Sequence, residues 1–140
     1  MAFTGNAFCT SAKVGFLTGT YVPLTDTMKI ALYTNSATLD ATTTAYTTSG
    51  EVIGVGYTAG GNTLTGNAIS FSGTTAWITF SDSSWTNATI AARGALIYDS
   101  TRADAAIAVL DFGSDKTSTA GTFTVQMPVA AAATALIRIA

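Results

Sequence analysis

The order of apolar and polar side chains along this chain predicts strands almost throughout. Met28, Ile30 and Leu32 alternate with Lys29, Ala31 and Tyr33. That two-residue period puts successive side chains on opposite faces, so Met28–Thr34 reads as a strand. Phe123, Val125 and Met127 alternate in the same way with Thr122, Thr124 and Gln126. Pro128 ends or bends that run, because proline cannot donate to a ladder. Ile69–Phe71 and Ala76–Phe80 flank Ser72-Gly73-Thr74, a tight hairpin signal. In the second of these, Ala76, Ile78 and Phe80 share one face and Trp77 and Thr79 the other. If the first set faces the core, Trp77 points outward. Gly94–Tyr98 is apolar on both faces, as expected of a central strand covered twice, and Ile107–Phe112 is similar apart from Asp111. Ala135–Ile139, apolar except for Arg138, is the last element.

Between these runs the pattern loosens. Glu51–Gly61 is strand-like but broken by glycines, and Gly60–Gly61 reads as a hairpin turn. Asn35–Thr48 is rich in Thr and Ala without a period, so it reads as a long loop or an irregular edge. Near the start, Phe8, Ala12 and Gly15–Phe16 recur at three- and four-residue spacing over Asn6–Gly19. This is a short helix closed by Gly19, or an irregular arm. Seven or eight short strands with Gly, Ser, Asn and Thr turns predict an all-β fold, an antiparallel β-sandwich or jelly-roll-like barrel. Residues 1–25 form the N-terminal arm or short helix, and 26–140 a single sandwich domain. No long helical period interleaves the strands, which argues against an α/β architecture.

Composition changes the picture in one respect. The chain is 48% hydrophobic yet only 10% charged, against about 25% charged in ordinary soluble domains. From Ala41 to Ser81 the only charged residue is Glu51. Little charge means little repulsion between copies, so such a surface suits a subunit that associates. The net charge is −2, and Lys13, Lys29, Arg93, Arg102, Lys116 and Arg138 are scattered. No basic stripe forms of the kind that neutralises phosphates, so nucleic acid is not an expected partner. The single Cys9 rules out an internal disulfide and reads as a small buried hydrophobe. The start has no basic segment followed by a long apolar run, and no stretch reaches the roughly 18 apolar residues of a membrane span. The expectation is synthesis in the cytoplasm without a signal peptide, and no membrane partner.

Candidate chemistry is sparse. With no His and one Cys, Ser-His-Asp and Cys-His arrangements and most zinc sites are ruled out. Glu51 and seven Asp remain, and a carboxylate pair could in principle hydrolyse glycosides. Asp82, Asp99 and Asp115, however, sit in turn contexts where Asp bonds its own backbone. Asp111 interrupts an apolar strand, and a buried carboxylate needs a partner, with Arg93 or Arg138 the candidates. Gly54-Val-Gly56-Tyr-Thr-Ala-Gly60 resembles a dinucleotide loop but no helix is expected after it. Asp111-Phe112-Gly113 lacks the other kinase motifs, Asn87-Ala88-Thr89 is a glycosylation sequon without a secretory route, and Asp99 and Asp104 lack calcium-loop spacing. No catalytic residue, metal or cofactor is expected. Trp77, Trp85 and Tyr57 could stack sugar rings, or else fill the core or a subunit contact.

Several blocks together resemble a known family. They are Met28-Lys-Ile-Ala-Leu-Tyr-Thr34 with Ala37–Tyr46, Gly56-Tyr-Thr-Ala-Gly-Gly61 with Leu64-Thr-Gly66, Trp85-Thr-Asn-Ala-Thr89, Ala92-Arg-Gly-Ala-Leu-Ile-Tyr98 and Ala108–Lys116. In this order, over residues 26–140, they resemble a family of small bacteriophage virion structural proteins. The first 25 residues carry a single charge, Lys13, and look less typical. The resemblance implies a particle component without enzymatic activity, with a capsid decoration (cement) protein as the best fit. Such a protein would form a homo-oligomer, for instance a trimer, against the major capsid protein or another virion protein. A tail, neck or fibre-associated component is the alternative in the same class, and a carbohydrate-binding β-sandwich module the alternative outside it. The expected contact residues are Phe3, Phe8 and Phe16 in the arm and Trp77 on an outward strand face.

Overall fold

The computed structural model describes residues 3–140. Its elements run β1 (Ala7–Phe8), α1 (Thr10–Leu17), β2 (Met28–Tyr33), β3 (Asn62–Thr63), β4 (Ala68–Ser72), β5 (Thr75–Thr79), β6 (Ser83–Asp99), β7 (Ala105–Val125) and β8 (Ile137–Ile139). They form an antiparallel five-stranded sheet, β1-β7-β6-β2-β3, and an antiparallel three-stranded sheet, β4-β5-β8. The fold is all-β and sandwich-like with one short N-terminal helix, as the alternation predicts.

The large sheet is organised by its two longest strands, of 17 and 21 residues, paired from Ser83↔Val125 to Asp99↔Ala105. Around their closed end the apolar residues of both strands are buried, and β2 pairs with β6 from Met28↔Asp99 to Tyr33↔Gly94. Gly94–Tyr98 and Ile107–Phe112 are thus parts of longer strands, and Thr122–Val125 completes the second of them, which stops short of Met127. The stretch that joins them, Gly113–Thr122, is mostly exposed and has no apolar period. Pairing with β6 holds it extended, with the register slipping three times between Trp85 and Gly94. Positive φ at Asn87, Gly113 and Ala120 marks where extra residues are absorbed.

The N-terminal segment is built into this sheet. β1 pairs with β7, the Cys9 amide bonds the Ile107 carbonyl at 3.0 Å, and Cys9 and Ala12 are fully buried. Gly19 takes φ +75, its amide bonds the Phe16 carbonyl, and the Thr20 amide bonds that of Gly15 at 2.8 Å. That pair of bonds closes the helix as a Schellman motif. The core is one cluster, in which Ile78, Phe80 and Ile137 of the smaller layer join the large-sheet residues.

Gly94 lies where β2, β6 and β7 meet and Phe3 packs across the sheet. A Cβ there would collide with the Leu110 carbonyl and the Phe3 ring. Gly94→Ala should therefore cost on the order of 1–3 kcal/mol through overpacking, read as a lower urea midpoint with unchanged m-value.

Candidate interaction surface

The register of the small sheet puts Ile69, Phe71, Ala76, Ile78, Ile137 and Ile139 on one face. Its centre, Ile78 and Ile137, is buried in the core, while Ile69, Phe71 and Ile139 at the rim stay exposed. Beside the rim, Phe8, Phe16, Tyr21 and Pro23 complete an apolar cavity of about 300 Å³. Asn67 Nδ2 bonds the Pro23 carbonyl at 2.7 Å and ties the two parts together. Phe8 meets Phe16, and Phe16 meets Tyr21, at 5.8 and 5.5 Å between ring centres in edge-on geometry. Leu17 projects from α1 with 88% of its surface in solvent.

The four expected contact residues divide here. Phe8 and Phe16 are half-buried and line this apolar region. Phe3 is 1% exposed, bridges Leu39 and belongs to the core, because the arm folds onto the sheet and does not stand off it. Trp77 does lie opposite Ile78, yet only 9% of it is exposed. Arg138, its cross-strand neighbour, reaches through Nη1 to the Ala132 carbonyl at 3.2 Å, so the C-terminal segment returns over that face. Alternation separates the faces of a strand but does not say how many are covered. Trp85 is 5% exposed and packs between Tyr57 and Phe123, so neither tryptophan presents an open ring on which a sugar could stack.

A second apolar feature was hidden in the glycine-broken stretch. Glu51 and Val52 continue the sheet beside the end of β2, with the Val52 amide bonded to the Leu32 carbonyl at 2.9 Å. The chain then passes onto β6, where the Thr89 amide bonds the Val55 carbonyl at 2.9 Å. Gly54 and Gly56 touch the Thr89 carbonyl and Ala88, and a Cβ at either would clash. Small residues inward leave Ile53 and Val55 outward, 99% and 74% exposed. The signal was the alternation of glycine with β-branched residues, which marks close approach of two backbones.

Glu51 fixes this segment from below. Its Oε2 accepts from the Tyr46 hydroxyl at 2.6 Å, and its Oε1 from the Tyr57 hydroxyl and the Gly60 amide, both at 2.7 Å. Tyr98 donates to the Gly60 carbonyl at 2.7 Å and stacks on Tyr46 at 4.7 Å. Burial, then the bond to the Glu51 carboxylate, pushes the Tyr46 and Tyr57 hydroxyls well above the ordinary phenol range, so both remain donors. A carboxylate with three donors is a satisfied buried group, and it serves here as the anchor of an otherwise irregular loop.

At the tip of the β6–β7 hairpin, Arg102 grips Asp26 through Nε and Nη2 at 3.0 and 3.2 Å. Asp26 also accepts from the Val22 amide, and Asp99 Oδ1 from the amides of Thr101 and Arg102. Burial pulls Asp26 upward, but Arg102 and the Val22 amide outweigh it and hold its carboxyl below the usual range. Asp99 is fully buried and its Oδ2 has no donor. Burial first, and Asp26 beside it second, push its carboxyl up to about 6. Asp111 pairs with Arg93 at 3.0 Å, one of the two partners expected. Burial raises the Cys9 thiol to about 11, which keeps it protonated and unreactive. Among the described residues no three His, Cys, Asp or Glu side chains come together as a metal site, and no helix is long and apolar enough to cross a membrane.

No protein-family model, curated protein or solved structure matches the chain.

Two stability measurements check these clusters. Because the folded Asp99 binds its proton more tightly than the unfolded chain does, its contribution is complete below about pH 4 and is lost as pH rises through about 6. Asp99→Asn keeps the neutral form. It should stabilise the protein at pH 7.5 by on the order of 1 kcal/mol and flatten the stability profile between about pH 4 and 6, read from urea titrations. Glu51→Gln replaces an acceptor by a donor inside a ring of donors, and should cost on the order of 1–3 kcal/mol in the same assay.

Proposed function

We propose that this chain is a non-enzymatic structural subunit of a bacteriophage particle, acting as a capsid decoration (cement) protein. In this reading it associates with itself and with the major capsid protein or another virion protein, and its place is the virion. The ordered sequence blocks support a phage structural role by resemblance. The observation that carries the reading is the exposure of Ile53 and Val55 on a segment pinned by Glu51 and by close glycine contacts. β-Branched side chains held rigidly in water lose the hydrophobic contribution they would make when covered, roughly 25 cal/mol per Å² of apolar surface. They lose little further freedom on docking, so contact with a partner is favourable from the outset. A surface with almost no charge removes the repulsion that would oppose many such contacts repeated by symmetry. A site in the tail, neck or fibre would use the same surface, and fractionation of the particle distinguishes it from the head.

The test is co-sedimentation of the purified protein with empty phage heads, alongside detection of the chain in purified virions. Binding at saturable stoichiometry is expected. Ile53→Ser with Val55→Ser should weaken binding by roughly tenfold or more, while stability stays within about 0.5 kcal/mol because both side chains are exposed. A protein absent from virions and from head pellets would overturn the reading.

A further inference from the structure

We propose that β4 is a seam through which two copies of this chain join edge to edge about a two-fold axis. The proposal rests on the self-association in the reading above and specifies its geometry. β4 pairs only with β5, and no other strand lies beside it among the described residues. The loop between them has two residues, Gly73 and Thr74, so Ser72 and Thr75 close the hairpin as a hydrogen-bonded pair. In an antiparallel ladder such pairs alternate along the strand. Ser70 therefore bonds toward Trp77, while the amides and carbonyls of Ile69 and Phe71 face outward. These two residues also carry exposed side chains, 49% and 75% in solvent, on the apolar face of the sheet.

Natural sheets blunt an open edge with lysine, proline or a bulge. Ala68-Ile-Ser-Phe-Ser72 has none of these, and its register with β5 is unbroken. The backbone groups that lack partners call for an extended strand, and the sequence says which strand fits. With Ser70 on the two-fold axis, Ile69 of one copy stands opposite Phe71 of the other. Each such pair exchanges both backbone bonds, so every outward group of Ile69 and Phe71 is satisfied. The same register sets a β-branched side chain against an aromatic one on both sides of the axis, a favourable cross-strand pair. A charged residue on the axis of such a pairing would meet the same charge on the other copy. Here no charged residue occurs from Val52 to Ser81. The joined edges merge two three-stranded sheets into one and bring their apolar rims together. The contact is isologous and closed, so it links copies in pairs and cannot run on into a fibre.

Ser70 is exposed and on the axis, so its substitution tests the seam without touching the core. In sedimentation of the full chain, the protein should be a dimer. Ser70→Lys and Ser70→Glu should each weaken it by roughly tenfold or more, and mixing the two should restore a dimer tighter than either alone. Ser70→Cys should oxidise to a cross-linked dimer, because facing residues of a non-hydrogen-bonded pair lie about 4.5 Å apart at Cα. Association unchanged by Ser70→Lys, a protein that stays monomeric at high concentration, or a Ser70→Cys chain that cross-links only to other proteins would overturn the proposal. A chain that binds phage heads while ignoring Ser70 changes would sink the seam and leave the structural role standing. A Ser70-dependent dimer absent from virions would do the reverse.

Discussion

The ladder between β6 and β7 is the constraint on which the rest of the molecule depends. One pair of strands runs the length of the large sheet, and β1, α1 and β2 attach to it directly. β1 hangs on one side, β2 on the other, and the Val55 carbonyl takes a bond from Thr89 further along. A hairpin of this length would twist and fray in isolation. Around its closed end it is held by burial on both faces and by the Asp26–Arg102 clasp. Further along, the register slips let the strands absorb their twist and carry exposed polar sequence without parting.

Inside, the few charges are either paired or surrounded by donors. Glu51 receives three hydrogen bonds, Asp111 has Arg93, and Asp26 has Arg102. Asp99 is the exception, and its raised carboxyl pKa is the physical answer to a buried oxygen without a donor. Each cluster secures a segment that hydrophobic packing alone would leave loose: the 51–61 loop, the β7 bulge and the junction between the N-terminal region and β2. Polar atoms in this protein thus locate irregular chain, while apolar atoms hold the sheets.

The outside inverts the usual division of labour. Leu17, Ile53, Val55 and Phe71 are in solvent, while both tryptophans are inside. Three of those exposed side chains stand on backbone held by a ladder or by glycine contact, so their exposure is a fixed property of the surface. With so little charge, that surface offers only weak electrostatic repulsion between copies. The proposed assembly would draw on several small apolar areas of this kind.

Strand positions were legible wherever alternation was strict, as at Met28–Tyr33 and Ala76–Phe80, because a two-residue period is a local property of the chain. The helix stop at Gly19 was legible for the same reason, as was the need of Asp111 for an arginine. The length of β7 was not, since Gly113–Thr122 carries no period and is extended only because β6 lies beside it. Phe3 and Trp77 were assigned to the surface because an arm and an outer strand face are uncovered unless some distant segment returns over them. Here β6 returns to one and the C-terminal chain to the other. Local order of residues therefore determined which segments are strands and how poor in charge their surface is. Which faces are covered, which edge is left open and which carboxyl binds its proton more tightly than usual were decided by contacts between residues far apart in the chain, and no short-range pattern encodes those.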